Sequence, residues 1–383
     1  MKLLFATGGT GGHINPALAV AGKIREEYGD EVEILFVGTP THMETRLVPQ
    51  AGFDFTAIDV RGFYRGLSWT NIKRDSAALV KMFTSSVQAR TLIKEFRPDA
   101  AIGFGGYVSG PVIRAAAKLG VPTAIHEQNA YPGITNKALA KMVDLVMLTS
   151  EDAEARIECK NPPVITGLPV RGEMVAADRK ACREKLGIPD DRLLILSMGG
   201  SLGADAINHA MCELIAKEKD NKKLYFIHAY GQYGQYVPDE LRSLGVDASH
   251  YGNITLREYI DDMEVCMPAA DIVICRSGAS SLYEIRALGK ASILVPSPNV
   301  AENHQFYNAM ELVDRDAALI IEQKDLTGDT LYEATESLVN DPERIRTIEQ
   351  NARNMAILDA TERIAGNLMD LARAHAAKEN ENG

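Results

Sequence analysis

Short apolar runs recur along the chain, each followed by a small or polar turn and then by helical spacing. Leu3-Leu4-Phe5-Ala6 reads as a buried first strand. The turn Thr7-Gly8-Gly9-Thr10-Gly11-Gly12-His13 follows it. A helical pattern then starts over residues 14–21, with Pro16 expected near its first turn, where proline is tolerated. Residues 32–37 predict a second strand and residues 53–58 a weaker third. Residues 99–104 predict a strong strand that runs into Gly105-Gly106. Residues 110–119 are small and helical, and 122–126 and 144–148 predict further strands. Strands alternating with helices predict a parallel, doubly wound sheet. Ligands collect at the carboxyl ends of such strands. The polar clusters 8–13, 105–109 and 126–129 are expected there.

The second half repeats the rhythm. Its clearest strands are expected at 193–198, 224–229, 271–275 and 291–296. The first of these runs into a second glycine turn, Gly199-Gly200-Ser201-Leu202-Gly203, and a helical stretch from Ala204. Two strand–glycine turn–helix units, one heading each half, predict two α/β domains facing a cleft. Asn161-Pro162-Pro163, with Gly167-Leu168-Pro169-Val170-Arg171 just beyond, reads as the interdomain linker. A last helix is expected over 360–376, followed by a frayed polar end at 378–383.

Composition narrows the classes. The length of 383 residues suits two cores, and 46% hydrophobic with 24% charged residues is an ordinary globular balance. A formal net charge of −11 argues against a general nucleic-acid binder. The five cysteines are scattered without a C-x-x-C pair, which fits a reducing compartment better than a disulfide frame or a zinc site. No apolar run approaches the roughly 20 residues of a membrane span. The start, Met1-Lys2 directly before a strand, leaves no room for a signal peptide.

A glycine turn before a helix bares N–H groups at the positive end of the helix dipole, a place for an anion. The G-x-G-x-x-G dinucleotide fingerprint is not met, because Ile14 stands at the third glycine position and Gly38-Thr39, not an acid, ends the second strand. His13 beside that turn suits a base or a phosphate donor. The second constellation is Arg276-Ser277-Gly278-Ala279-Ser280-Ser281-Leu282-Tyr283-Glu284. Its small residues can cap a helix or donate to a phosphate. Glu284, expected near the first helical turn, can accept from the two hydroxyls of a ribose. Glu302-Asn303-His304-Gln305 then opens another helix. Gly200 and Ser201 for one phosphate, Ala279 and Ser280 for the other, Glu284 for a ribose and Gln305 for a hexose describe one ligand, a nucleotide diphosphosugar. Asp314-Arg315-Asp316 is the one D-x-D and reads as surface. No cluster has metal-ligand spacing, and neither a metal nor a cofactor is expected.

These blocks, with Gly105-Gly106-Tyr107-Val108-Ser109-Gly110-Pro111 and His126-Glu127-Gln128-Asn129, resemble the bacterial lipid I N-acetylglucosaminyltransferases. The similarity spans nearly the whole chain. It implies a glycosyltransferase B fold, with an acceptor and membrane domain over 1–166, a donor domain over 167–358, and a helix at 359–383 that returns to the first. It implies inverting, metal-independent transfer of N-acetylglucosamine from UDP-N-acetylglucosamine to the C4 hydroxyl of the muramyl sugar on a polyprenyl diphosphate. By the same resemblance Ser201 contacts a donor phosphate, Ile260 meets the uracil through its backbone, and Arg171 closes on the donor. Glu284 holds the ribose, and Gln305 and Asn129 hold the N-acetylglucosamine. Thr10, Gly11, Gly12, His13 and Tyr107 face the acceptor. Leu202 stands where the family commonly has Gln, which removes one possible donor contact. A base must take the acceptor proton; His13 is the first choice and Glu127 the second. The competing readings are another glycosyltransferase of this fold, a dehydrogenase, and a non-catalytic nucleotide-sugar binder.

A lipid acceptor makes a further demand. Residues 61–90 carry Arg61, Arg65, Lys73, Arg74, Lys81 and Arg90 against one acid, Asp75. Trp69, Ile72, Leu79, Phe83 and Val87 fall near one helical face. An apolar wedge with a basic rim reads as an interfacial element for anionic lipid on the cytoplasmic side of the cell membrane. The alternative is a core-facing helix with solvated basic residues. The sequence does not fix the oligomeric state.

Overall fold

The computed structural model describes residues 1–60 and 84–382, with side chains through 377. The interfacial reading of Trp69, Ile72, Lys73, Arg74, Leu79 and Phe83 lies outside the described residues. The chain divides into two units, Met1–Pro169 with Ile357–Gly383, and Val170–Ala356.

The first unit is built on β1 (Lys2–Ala6), β2 (Glu33–Gly38), β3 (Asp54–Ala57), β4 (Ala100–Gly103), β5 (Thr123–Glu127), β6 (Leu145–Leu148) and β7 (Val164–Ile165). They lie in the order β3-β2-β1-β4-β5-β6-β7, and every pair is parallel. β1 is central and covered on both faces, which is why it reads as a continuous apolar run. Leu3 and Phe5 join Ala17, Val20 and Ile24 of the helix Gly11–Tyr28, together with Ile364 and Leu368 of the last helix, Ala360–Asn382. Leu4 and Ala6 join Val112, Ile113 and Ile125 in a second cluster. The reversal of strand order between β1 and β4 puts the Gly8–His13 and Gly105–Ser109 turns side by side, at the switch point where such sheets bind ligands.

Several expectations need correction. The first helix begins at Gly11, inside the glycine turn, so Pro16 is its sixth residue and not part of its first turn. Pro162 and Pro163 lead directly into β7, which pairs with β6, and the units part between Pro169 and Val170, in the second part of the expected linker. Proline before a two-residue edge strand costs no ladder bond and leaves the sheet free to continue. The final helix continues through the expected frayed end to Asn382.

The second unit carries β8 (Leu193–Met198), β9 (Leu224–Ala229), β10 (Ile254–Arg257), β11 (Ile272–Cys275), β12 (Ala291–Leu294) and β13 (Leu319–Ile320). Their order is β10-β9-β8-β11-β12-β13, again all parallel. β8 takes the central place that β1 takes in the first unit. Its alternate residues Leu194 and Leu196 pack on one side, and Ile195 packs on the other.

Each sheet buries one histidine whose protonation the fold opposes. His126 of β5 and His228 of β9 are fully buried, and burial holds each ring well below the ordinary histidine value, at about 4. His228 Nδ1 is 2.7 Å from the Ser197 hydroxyl. A neutral ring kept this way contributes stability that is complete above about pH 6.5 and lost as pH falls through about 4. Each contribution is on the order of 3 kcal/mol. The melting temperature is therefore expected to fall between pH 6.5 and 4, and less steeply in His228→Gln. Parallel curves for the two proteins would refute the assignment.

Candidate functional site

In the first unit the site grows from the turn after β1. Thr10 is the extended N-cap of the helix, and its carbonyl accepts from the His13 and Ile14 N–H groups at 3.1 and 3.2 Å. Gly11, Gly12 and His13 thus form the first helical turn, which contains no acidic side chain. The glycine turn is not wholly an open anion cradle. Gly9 N–H donates to Glu44 Oε2 at 3.1 Å. Glu44 Oε1 accepts from Thr39 N–H at 2.9 Å and from the Thr39 hydroxyl at 2.5 Å. Burial pushes this carboxyl up, but the Thr39 and Gly9 donors outweigh it, and the net shift is downward. An internal carboxylate therefore occupies Gly9, and the anion-binding capacity of the turn rests on the helix N-terminus at Gly11–His13.

His13 is half-buried, with Nδ1 3.0 Å from Gln128 Oε1. Among the described residues no group is hydrogen-bonded to its Nε2. Gly105, with φ +96°, passes so close that a Cβ there would lie 2.7 Å from His13 Nδ1. Tyr107, just beyond, is 61% exposed. Glu127, expected as an alternative base, is only 2% exposed. Its Oε1 accepts from Asn129 N–H at 2.9 Å and Asn129 Nδ2 at 3.1 Å. Its Oε2 accepts from Gly133 N–H at 3.0 Å and Asn136 Nδ2 at 2.8 Å. These four donors engage both of its oxygens. Glu127 instead ties the loop after β5 together and sets the position of Asn129.

In the second unit the turn after β8 is held by its neighbour after β9. Gln232 N–H donates to Ser201 O at 3.1 Å, and Tyr233 N–H to Leu202 O at 3.0 Å. This leaves the Ser201 and Leu202 side chains exposed at the head of the helix Asp205–Glu218. The helix Ala279–Leu288 begins after the N-cap Gly278, so Ala279 and Ser280 lie in its first turn. The buried Ser277 hydroxyl beside that N-cap has no partner among the described residues. Glu284 stands on the second turn, not the first. Arg171, the N-cap of the short helix Gly172–Val175, lies with Nη2 3.6 Å from Glu284 Oε1 and Nη1 3.7 Å from Glu264 Oε2. Burial pushes the Glu284 carboxyl up, and Arg171 opposes the shift.

Gln305 follows the His304 start of the helix His304–Val313. Its Oε1 accepts from Ser297 N–H at 2.8 Å, so its NH2 is the end left for a ligand. Ile260 is buried in the core with Val265 and Met267, which leaves only its backbone to offer. Arg276 is committed to the protein: it donates to Val295 O, Pro296 O and Gln323 Oε1. Asp316 of the D-x-D sequence is paired with Arg344 on the surface. Among the described residues no group of His, Cys, Asp or Glu is arranged to hold a metal ion.

Three structural participants carry no assigned role in the sequence reading: Glu44, Gly105 and Gln128. For Gln128 a signal exists. Side chains alternate along a strand, so in His126-Glu127-Gln128-Asn129 the first and third residues share a face, as do the second and fourth.

Comparison with known proteins agrees with this geometry. Residues 3–148 match the glycosyltransferase family 28 N-terminal domain, and residues 194–364 match the glycosyltransferase family 28 C-terminal domain. The UDP-N-acetylglucosamine–N-acetylmuramyl-(pentapeptide) pyrophosphoryl-undecaprenol N-acetylglucosamine transferase of Acetivibrio thermocellus is 43% identical over 377 residues, covering 98% of this chain and all of that protein. The enzyme of the same name from Desulforamulus reducens is 42% identical over 356 residues, covering 93% of this chain and 94% of that one. The crystal structure of Acinetobacter baumannii MurG superposes with a TM-score of 0.77 at 30% identity, over 96% of this chain and 99% of that one. Each unit is Rossmann-like, as the glycosyltransferase B architecture requires. The chain belongs to the UDP-N-acetylglucosamine–N-acetylmuramyl-(pentapeptide) pyrophosphoryl-undecaprenol N-acetylglucosamine transferase family.

Proposed function

We propose that this chain transfers N-acetylglucosamine from UDP-N-acetylglucosamine to the C4 hydroxyl of N-acetylmuramyl-pentapeptide on undecaprenyl diphosphate, the lipid I to lipid II step of peptidoglycan synthesis. The observation that carries the reading is full-length similarity to enzymes of that name. The second unit is the donor unit. Glu284, aligned by Arg171, accepts from the ribose hydroxyls. The helix N-termini at Ala279–Ser280 and beyond Ser201 meet the diphosphate and the charge that develops on departing UDP. The Ile260 backbone meets the uracil, and the Gln305 NH2 donates to the sugar. The first unit is the acceptor unit. Thr10, Gly11, Gly12 and Tyr107 contact the acceptor, Asn129 contacts the transferred sugar, and His13 takes the C4 hydroxyl proton. A single displacement inverts the anomeric centre. Incubation with radiolabelled UDP-N-acetylglucosamine and a lipid I analogue is expected to give labelled disaccharide lipid. Hydrolysis to free sugar alone would refute the assignment.

We further propose peripheral attachment to the cytoplasmic face of the membrane. Among the described residues no helix is long and apolar enough to cross one. The basic and apolar sequence of residues 61–90 supports contact with anionic lipid. Binding to vesicles is expected to rise with anionic lipid content and to fall in Trp69→Ala/Phe83→Ala. Binding insensitive to both would rule the contact out.

A further inference from the structure

We propose that Gln128 is a positioning residue that holds His13 in its Nδ1–H tautomer, through a chain of hydrogen bonds from the Gly167 carbonyl by way of His126, leaving the His13 Nε2 lone pair as the reacting atom. This deepens the reading of His13 as the base and rests on it.

Both ends of the chain fix its direction. A carbonyl oxygen only accepts. His126 Nε2 lies 2.9 Å from Gly167 O, so that nitrogen carries the hydrogen. The ring is neutral, and its Nδ1 is left as an acceptor. Gln128 Nε2 lies 3.0 Å from Phe104 O, 3.0 Å from His126 O and 3.1 Å from His126 Nδ1. Only the NH2 end of the amide can face two carbonyl oxygens and a ring lone pair, its two hydrogens being shared among the three. The reversed amide would set an oxygen against three acceptors. Gln128 Oε1 is therefore turned toward His13 Nδ1 and accepts its hydrogen across 3.0 Å. By elimination the lone pair of His13 is on Nε2.

The surroundings leave this arrangement little freedom. Gln128 is nearly fully buried, and His126 fully so. The Phe104 ring packs against the His126 ring, tilted by 36° with centroids 5.5 Å apart. Gly105 clears the space beside His13 Nδ1 that a side chain would take. The neighbouring carboxylate, Glu127, is engaged by its four donors. An amide suits the role better than a carboxylate, which has no hydrogen for Phe104 O or His126 Nδ1. Being neutral, it also orients the ring without adding a charge that favours the imidazolium.

The experiment is 15N NMR of the full-length protein labelled at histidine, with His13 assigned by the signal lost in His13→Ala. In the unsubstituted protein His13 is expected to show a protonated Nδ1 and an unprotonated Nε2. A protonated Nε2 there would overturn the proposal without any variant. In Gln128→Leu the two tautomers are expected to mix, and kcat to fall about 10–100-fold, as for orienting partners of histidines at metal sites, with the KM for UDP-N-acetylglucosamine unchanged. Gln128→Glu keeps an acceptor at His13 and is expected to keep its tautomer. An unchanged His13 signal in Gln128→Leu overturns the positioning role whatever happens to kcat. Mixed tautomers with full kcat support the positioning role and remove His13 from the proton transfer.

Discussion

Replacing His13 by alanine is expected to lower kcat by about two to four orders of magnitude, the range that a general base supplies, while the KM for UDP-N-acetylglucosamine stays near its starting value. Attack on the anomeric carbon requires the acceptor hydroxyl to lose its proton as the new bond forms. His13 is a half-buried imidazole with an orienting partner, Gln128, at 3.0 Å. Glu127 does not replace it, because both its oxygens are already occupied. Arg171 and Glu284, proposed for the nucleotide part of the donor, and Gln305, proposed for its sugar, belong to the second unit, and His13 is not among the donor contacts, which is why donor KM is expected to hold. Steady-state kinetics with both substrates varied decide the matter. A raised KM with kcat intact would make His13 a binding contact only. Turnover near that of the unsubstituted protein would leave it with no part in the chemistry.

The second large effect concerns Gly106. Its φ is +79°, and a Cβ built there lies 2.3 Å from the Gly8 carbonyl oxygen, a backbone atom that cannot rotate away. Gly106→Ala thus combines the strain of a left-handed alanine, about 1–2 kcal/mol, with an overpacking cost of about 1–3 kcal/mol. The sum is enough to lower the melting temperature of this unit by roughly 4–20 °C. Gly9 is the matched control: its φ is +94°, and nothing lies within 4 Å of its Cβ position. Gly9→Ala carries the conformational strain without the collision. Equal melting temperatures for the two variants would mean that the contact between the Gly8 and Gly106 turns is dispensable. Because that contact joins the turns after β1 and β4, Gly106→Ala is also expected to displace His13.

The central strands were legible because burial on both faces writes an uninterrupted apolar run: β8 and β9 coincide with their expected limits. The edges were not. β7 and β13 have two residues each, too few for any period to register. Pro16 misled the placement of the first helix, since proline usually marks a helix beginning. Here Gly11 and Gly12 start the helix earlier, at the cost of one interior hydrogen bond. Pro162-Pro163 lead into an edge strand, which accepts what a central strand refuses, and the units part in the stretch 167–171 just beyond them.

At the site, one convergence that the sequence reading implies is present. Arg171 and Glu284 do converge, at 3.6 Å. Roles that depend on a partner far along the chain were hidden. Glu44 meets Gly9 across 35 positions, and Gln128 meets His13 across 115. Glu44 shows the difficulty well. The acid sought at the end of the second strand does lie near it, six residues on from Gly38, but it serves the backbone of the protein itself. Only the folded sheet reveals this.

The return of the last helix to the first sheet also sets an order of events on the ribosome. Residues 170–356 are contiguous and emerge as one piece. The hydrophobic cluster beneath β1 is split: Phe5, Val20 and Ile24 are made first, whereas Ile364, Leu368 and Ala372 are made last. At elongation speeds of about 5–20 residues per second the interval between the two is roughly 17–70 s. For that time the nascent first sheet carries an uncovered apolar face that only the last helix can close. The inserted unit, encoded between the two halves, is complete before the unit that begins the chain.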